Sequence, residues 1–344
     1  MLPARPQVTP GPASPQHWQA ELARGFRDTG QLLAALGLDA SDCRLAPGPA
    51  AAFPLRVPRG FVARMRPGDP RDPLLLQVLP APAEAQPADG FVNDPVGDLD
   101  SARTPGLLQK YAGRALLITT GACAVHCRYC FRREYPYGEQ SAAAGHLEAA
   151  IETIAGDPSL EEVILSGGDP LVLAEHRLEG LLTVLDELPH IRRIRLHSRV
   201  PVVLPERVDQ RLLGFLGSLS TRVVLVIHAN HAREIDLPVA SALRALGAAT
   251  GPVLNQSVLL RGVNDSPEAI IDLSLALFEA GVIPYYLHQM DPVAGAAHFV
   301  VSDACALQLV SAAVRSLPGY LVPKLVREIA GAPAKTLLGT FGAT

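Results

Sequence analysis

No run of about 18 apolar residues in this 344-residue sequence is free of charge or proline, so no segment suits a membrane crossing. The opening MLPARPQVTPGPASP also lacks the apolar core of a secretory leader, and the expected location is the cytoplasm. Excess positive charge is missing as well. A formal net charge of −4 leaves no broad electrostatic footprint for gripping nucleic acid by its phosphates, so no direct nucleic-acid partner is expected. Cysteine is too scarce and too uneven for a disulfide framework: of five, Cys43 and Cys305 stand alone, while Cys123, Cys127 and Cys130 crowd together. No internal repeat is visible. What remains is a chain 48% hydrophobic, long enough to bury one large α/β core or two modest ones.

Residues 1–106 are proline-rich and read as a mainly helical N-terminal lobe, with one amphipathic stretch from Trp18 to Leu36 and a shorter one from Phe61 to Met65. Pro47–Pro54 and Pro80–Pro87 read as extended connections without visible chemistry. From Arg114 short apolar runs alternate with amphipathic stretches, the pattern of βα units on a parallel sheet. Strands are expected at Ala115–Thr119, Glu162–Ser166, Ile194–Ser198, Val223–His228, Leu254–Leu260 and Pro284–His288. Helices are expected at Ala142–Ala155, Glu175–Glu187, Glu206–Leu219, Val239–Leu246, Pro267–Ala280 and Ser302–Ser316. The fold class is therefore α/β, an incomplete (β/α) barrel of about six units over residues 107–318, followed by a C-terminal segment over 319–344. Chemistry in such a barrel belongs where strands end. The polar residues obey that rule: Gly121–Cys130 follow the first strand, Gly167–Gly168–Asp169 the second, Ser198–Arg199 the third and His228–His231 the fourth.

Cys123-Ala-Val-His-Cys127-Arg-Tyr-Cys130 places three thiols in one loop. Structural zinc normally takes four ligands, and His126 is awkwardly placed to be the fourth. A four-iron cluster held at three corners would keep one iron open for a ligand. Zinc and inert core cysteines are the alternatives on the residues alone. Gly-Gly-Asp-Pro by itself is only a turn signal.

Together, however, the cysteine loop and the Leu165-Ser-Gly-Gly-Asp-Pro170 turn resemble the radical S-adenosylmethionine (radical SAM) enzymes. In these the open iron of a 4Fe–4S cluster binds the amino and carboxylate groups of S-adenosylmethionine. Over about Leu107 to Lys335 the resemblance narrows to the lysine 2,3-aminomutase family, carried by Tyr111–Arg114, Cys123–Arg133, Ser166–Pro170, His197–Pro205, Asn255–Asp265 and Tyr320–Lys335. Leu55-Arg-Val-Pro-Arg59, Tyr285-Tyr-Leu-His288 and Gly319-Tyr-Leu-Val-Pro-Lys324 resemble its branch of bacterial enzymes that form (R)-β-lysine for elongation factor P.

That resemblance implies an isomerase and assigns its site. Cys123, Cys127 and Cys130 would hold the cluster, and Ser166, Gly167, Gly168 and Asp169 would approach adenosylmethionine. Lys335 would hold pyridoxal 5'-phosphate as a Schiff base, although position alone reads it as a solvated lysine and the family's glycine run is replaced by Ala332-Pro-Ala334. Lys110, Tyr111 and Arg114 match the segment that holds the cofactor's phosphate, with an ordinary charged strand edge as the alternative. Arg132 would clamp the substrate carboxylate, and Asp291 and Glu328 would surround its distal ammonium, with Glu328 longer than the usual aspartate and surface salt bridging as the plainer reading. Ser198, His228, Asn230, His231 and Gln256 would line the cofactor sites, while His197 and His288 read equally well as hydrogen-bonded core histidines. The implied partners are lysine, a reducing electron donor, and, functionally, elongation factor P with the ligase that modifies it; a homo-oligomer is compatible. Rival readings are an aminomutase acting on another amino acid and a zinc-stabilised binding module.

Overall fold

Five of the six expected strands are short runs carrying Val, Leu or Ile, the sixth (Pro284–His288) is aromatic, and all six form. The computed structural model of the protein describes residues 17–39, 53–142 and 145–339. Its sheet runs β1 (Ala102–Thr104), β2 (Leu107–Tyr111), β3 (Arg114–Thr120), β4 (Glu162–Gly167), β5 (Arg193–Ser198), β6 (Arg222–Ile227), β7 (Val253–Leu259), β8 (Val282–Gln289), β9 (Lys324–Arg327) and β10 (Thr336–Leu337). The ten strands lie side by side in chain order. Pairing from β3 to β9 is parallel, whereas β1, β2 and β10 join antiparallel at the two ends. The wall is thus a curved, incompletely closed barrel.

The expected six parallel units are one short. The seventh strand, β9, spans four residues with only Leu325 and Val326 buried, too brief an apolar run to stand out beside Pro323. It places Lys324–Arg327 of the C-terminal segment in the same sheet as the rest.

Register explains the outer core. Leu117 pairs with Leu165, Leu165 with Leu196 and Leu196 with Leu225, so these fully buried side chains form one row across the sheet. Burying each contributes about 1.5–3 kcal/mol. Helices cover this row with leucines at helical spacing: Leu178, Leu181, Leu182 and Leu185 from Glu175–Asp186, and Val239, Leu243 and Leu246 from Leu237–Thr250. Their starts are chemically marked. Asp236, Ser266 and Ser302 each accept a hydrogen bond from a backbone N–H three residues on. The helix expected from Glu206 begins at Gln210, where Asp209 caps it, and the one expected from Ala142 begins at Leu147.

The N-terminal stretch from Trp18 to Leu36 is two helices, His17–Ala23 and Thr29–Ala35. The break falls at Gly25, where a Cβ would lie 2.9 Å from the Val57 carbonyl oxygen, and Asp28 starts the second helix by accepting from Gln31 N–H. Trp18, Leu32, Phe61 and Leu74 pack in the same hydrophobic core as the barrel helices. Residues 47–52 of the first extended connection, and Cys43, lie outside the described residues. Among the described residues no helix is long and apolar enough to cross a membrane.

Candidate active site

Along β5 the outward Ile194 and Leu196 alternate with Arg195 and His197, which line a cavity of about 410 Å³. The cavity's walls come from the ends of the parallel strands, as the barrel geometry demands. Cys123, Cys127 and Cys130 all line it, together with Ser166, Gly167, Gly168, Asp169, Ser198, His228 and Gln256. Its walls also carry Lys110, Tyr111, Arg114, Arg132, Asp291, Glu328 and Lys335. Residues 217 positions apart in sequence, Tyr111 and Glu328, meet there.

The cysteine loop is held by the residues between its cysteines. Ala124 and Val125 are buried in the core. His126 N–H donates to the Arg56 carbonyl and its Nδ1 lies 2.8 Å from the Pro54 carbonyl. Arg128 N–H donates to the Gln77 carbonyl, and the Arg128 guanidinium grips both oxygens of Glu84, which Arg133 also contacts at 2.9 Å. Residues of the N-terminal lobe between Pro54 and Glu84 therefore clamp the loop from outside.

The glycine turn meets the loop from inside. A Cβ on Gly168 would lie 2.1 Å from the Ala122 carbonyl oxygen, so only glycine lets the end of β4 pass the start of the loop. Asp169 accepts from Leu171 N–H, Arg199 N–H, Val200 N–H and Ser198 Oγ–H, so both its oxygens are committed to tying β4 to β5. Burial pushes its carboxyl up to about 6 despite these donors.

Burial, and then the neighbouring thiols, push Cys130 up to about 11 and Cys123 well above its ordinary value. Three thiolates here need a strongly cationic centre among them, which an iron–sulfur cluster supplies. The donor set fits such a group. Among the described residues, no three His, Cys, Asp or Glu side chains are gathered around a single-ion centre.

At the other end, Lys335 Nζ donates to Glu328 Oε2 at 2.5 Å and Tyr111 O–H donates to Glu328 Oε1 at 2.5 Å. Burial pushes the Glu328 carboxyl up, but Lys335 and Tyr111 outweigh it and hold it below the usual range. Asp291 differs. Burial pushes it up to about 7, and its buried Oδ1 has no hydrogen-bond partner. Arg114 stacks 4.8 Å over the Tyr111 ring with a buried, unpartnered Nε. Of the chain's three lysines, Lys110 and Lys335 line the cavity, whereas Lys324 is exposed. An amine and a free guanidinium donor fit an aldehyde cofactor bearing a phosphate, and the orphaned acid acceptor fits a cationic group beside it.

Several expected residues are engaged differently from the sequence reading. Arg132 Nε donates to Asp98 at 2.6 Å and its NH1 to Ser166 Oγ at 3.1 Å. Lys110 Nζ lies 2.6 Å from Asp98 and donates to the Val96 carbonyl. Both cations thus share one buried acid that nothing in the sequence singles out. Asn230 lies behind the cavity wall, fully buried, where its amide N–H groups meet Gln77, Tyr129 and His228 and its oxygen accepts from Val258 N–H. It shapes the wall and does not line it. His231 starts a short helical turn, its Nδ1 accepting from Arg233 N–H. His197 and His288 line the cavity, and the Nε2 of each is buried without a partner. His228 Nε2 sits 2.8 Å from the Tyr129 hydroxyl, and burial followed by Arg199 pushes the ring down to about 3, so it stays neutral.

A three-cysteine loop after the first parallel strand and a glycine turn after the second, both facing one cavity, define a radical SAM enzyme. Residues 117–274 match the Radical SAM superfamily. An L-lysine 2,3-aminomutase of Escherichia coli (strain K12) is 47% identical over 332 residues, 96% of this chain and 97% of that protein. One from Haemophilus influenzae is 43% identical, covering 94% of this chain and 95% of its own. A solved radical SAM methyltransferase from Sphaerobacter thermophilus aligns over 64% of this chain and 68% of its own, at 18% identity and a TM-score of 0.47. The chain belongs to the lysine 2,3-aminomutase family, and it is an isomerase.

Proposed function

We propose that the protein converts (S)-α-lysine to (R)-β-lysine, with pyridoxal 5'-phosphate held at Lys335 and a 4Fe–4S cluster at Cys123, Cys127 and Cys130. The observation that carries this reading is the cavity itself, which the three thiols, Lys335 and the unpartnered Asp291 line together. When bound, the cofactors supply an electron for breaking a carbon–sulfur bond, a radical that removes hydrogen, and an aldehyde carbon that carries the migrating amino group.

The chain's own residues do the rest. Arg114 and Tyr111 take the phosphate, for which a free guanidinium donor suits an anion. Lys335, whose amine Glu328 holds in place, would hold the aldehyde. Arg132 takes the substrate carboxylate while Asp98 keeps the guanidinium oriented, and Asp291 takes the distal ammonium, giving its buried Oδ1 the donor it lacks. Gly167, Gly168 and Ser198, which line the same cavity, would approach adenosylmethionine. The walls would limit water, which could quench a radical or compete for a desolvated ammonium.

The sequence motifs shared with the elongation factor P branch support a further reading, that the β-lysine serves modification of that factor in the cytoplasm and that a cellular low-potential donor reduces the cluster. Anaerobic incubation of the reconstituted protein with L-lysine, followed by chiral analysis, tests the core claim. (R)-β-lysine is the expected product; its absence from a cluster- and pyridoxal-loaded preparation that consumes another amino acid refutes the substrate.

A further inference from the structure

Arg199 directly follows β5 and is buried, yet neither phosphate nor carboxylate recognition needs it in the scheme above. One of its terminal nitrogens, NH1, donates to Cys127 Sγ at 2.7 Å and to the Tyr129 hydroxyl at 2.7 Å. The other, NH2, donates to Gln77 Oε1 at 2.6 Å and Glu234 Oε2 at 3.1 Å. The guanidinium also lies over the rings of Phe61 and Tyr129. Glu234 is itself fully buried and pinned by Asn230 N–H, His231 N–H and the Gln77 amide. Every contact on the far side of the guanidinium therefore points NH1 toward the sulfur.

We propose that Arg199 sets the reduction potential of the iron–sulfur centre by donating a charge-assisted hydrogen bond to the Cys127 sulfur. The inference rests on the cluster reading of Cys127. A cluster gains one negative charge, and no proton, when it takes one electron from a low-potential one-electron donor. A cation and an N–H donor at a ligand sulfur stabilise that more negative state more than the oxidised one, and hydrogen bonds to sulfur are among the levers that set cluster potentials. Arg199 acts through Cys127 and is thus a positioning residue. Glu234 balances the buried charge while sitting at the opposite nitrogen, so the pair orients its positive end at the cluster. Gln77 ties this device to the N-terminal lobe.

The test is the cluster midpoint potential of the full-length protein, reconstituted anaerobically without adenosylmethionine and titrated with dithionite while the reduced cluster is followed by electron paramagnetic resonance. Two variants are compared with the parent. Arg199→Gln/Glu234→Gln removes both charges together, so that no buried carboxylate is left unpaired, and Arg199→Lys keeps the charge without the planar fork. In the double variant the reduced-to-oxidised ratio at a fixed potential is expected to fall about tenfold, a midpoint about 59 mV lower for one electron. Arg199→Lys is expected to fall between it and the parent. A midpoint in the double variant indistinguishable from the parent's, at equal iron content, overturns the proposal. So does failure of both variants to load a cluster while remaining folded, since Arg199 would then support the loop and not tune it. A parent protein that itself loads no reducible cluster fails the cluster reading instead, which keeps the two failures apart.

Discussion

Asp98→Asn is the most informative single change outside the cofactor ligands. The Asp98 side chain is 2% exposed and faces Arg132, 7% exposed, at 2.6 Å and Lys110, 18% exposed, at 2.6 Å. Burial pushes its carboxyl up, but the two cations outweigh burial and hold it below the usual carboxylate range. Removing one partner of a buried ion pair typically costs about 3–5 kcal/mol, because the remaining charge is left desolvated. Here both cations keep a neutral acceptor, Ser166 Oγ for Arg132 and the Val96 carbonyl for Lys110, so the lower end, about 3 kcal/mol, is expected. Urea unfolding of the cluster-free protein measures it. Combining the change with Arg132→Gln should show a coupling of about 1 kcal/mol or more, since the two substitutions remove the same contact. The pH dependence has a definite sign. A carboxyl with a depressed folded-state pKa contributes stability that is present above its unfolded value and is lost as pH falls through the folded one, so the parent loses its advantage over Asp98→Asn in acid. Additive single effects, or a gap between the two proteins that does not close on acidification, would refute the ion-pair account.

Lys335→Ala should abolish borohydride trapping of pyridoxal phosphate on the protein and the aminomutase reaction while leaving the iron–sulfur spectrum intact; Lys324→Ala should change none of these, and a trapped peptide carrying Lys324 would reassign the anchor. Gly168→Ala forces a Cβ against the Ala122 backbone, so it should lower iron loading even though it touches no thiol; normal iron content would show that the turn can shift without disturbing the loop. Asp291, pushed up to about 7, binds an ammonium only as the carboxylate, so lysine affinity should rise with pH through that value and the rise should vanish in Asp291→Asn, read from the pH dependence of KM. Norleucine, with no distal ammonium, should show no such rise in either protein.

The barrel was readable because most of its parallel strands carry an apolar run of their own. Six strands stood out from periodicity, whereas β9, with two buried residues, and β10, only two residues long, are made by their neighbours rather than by local propensity. The thiols and the glycine turn were readable for a related reason: their chemistry is local, compressed into a few consecutive residues. Asp98 was not, since Gly97-Asp98-Leu99-Asp100 is an ordinary acidic loop until the fold sets Arg132 and Lys110 against it. Arg199 could be placed at a strand end but not aimed, because its direction depends on Gln77 and Glu234, 122 and 35 positions away.

The same distinction explains the N-terminal lobe. Away from the Leu55–Arg59 motif its segments show no chemistry in the sequence, yet the lobe supplies Gln77, Glu84 and the Pro54 and Arg56 carbonyls to the residues between the three cysteines. A loop carrying three thiols has few apolar side chains with which to fix its own shape. Bringing three like charges together also works against the loop until the metal centre is present. Rigid backbone acceptors, and an acid shared by Arg128 and Arg133, hold the intervening residues independently of the thiols, so the loop is shaped before its charges must be accommodated. Arg199 then joins the lobe, through Gln77, to the sulfur of Cys127. The part of the chain with the least recognisable chemistry is the part that holds the three-cysteine loop.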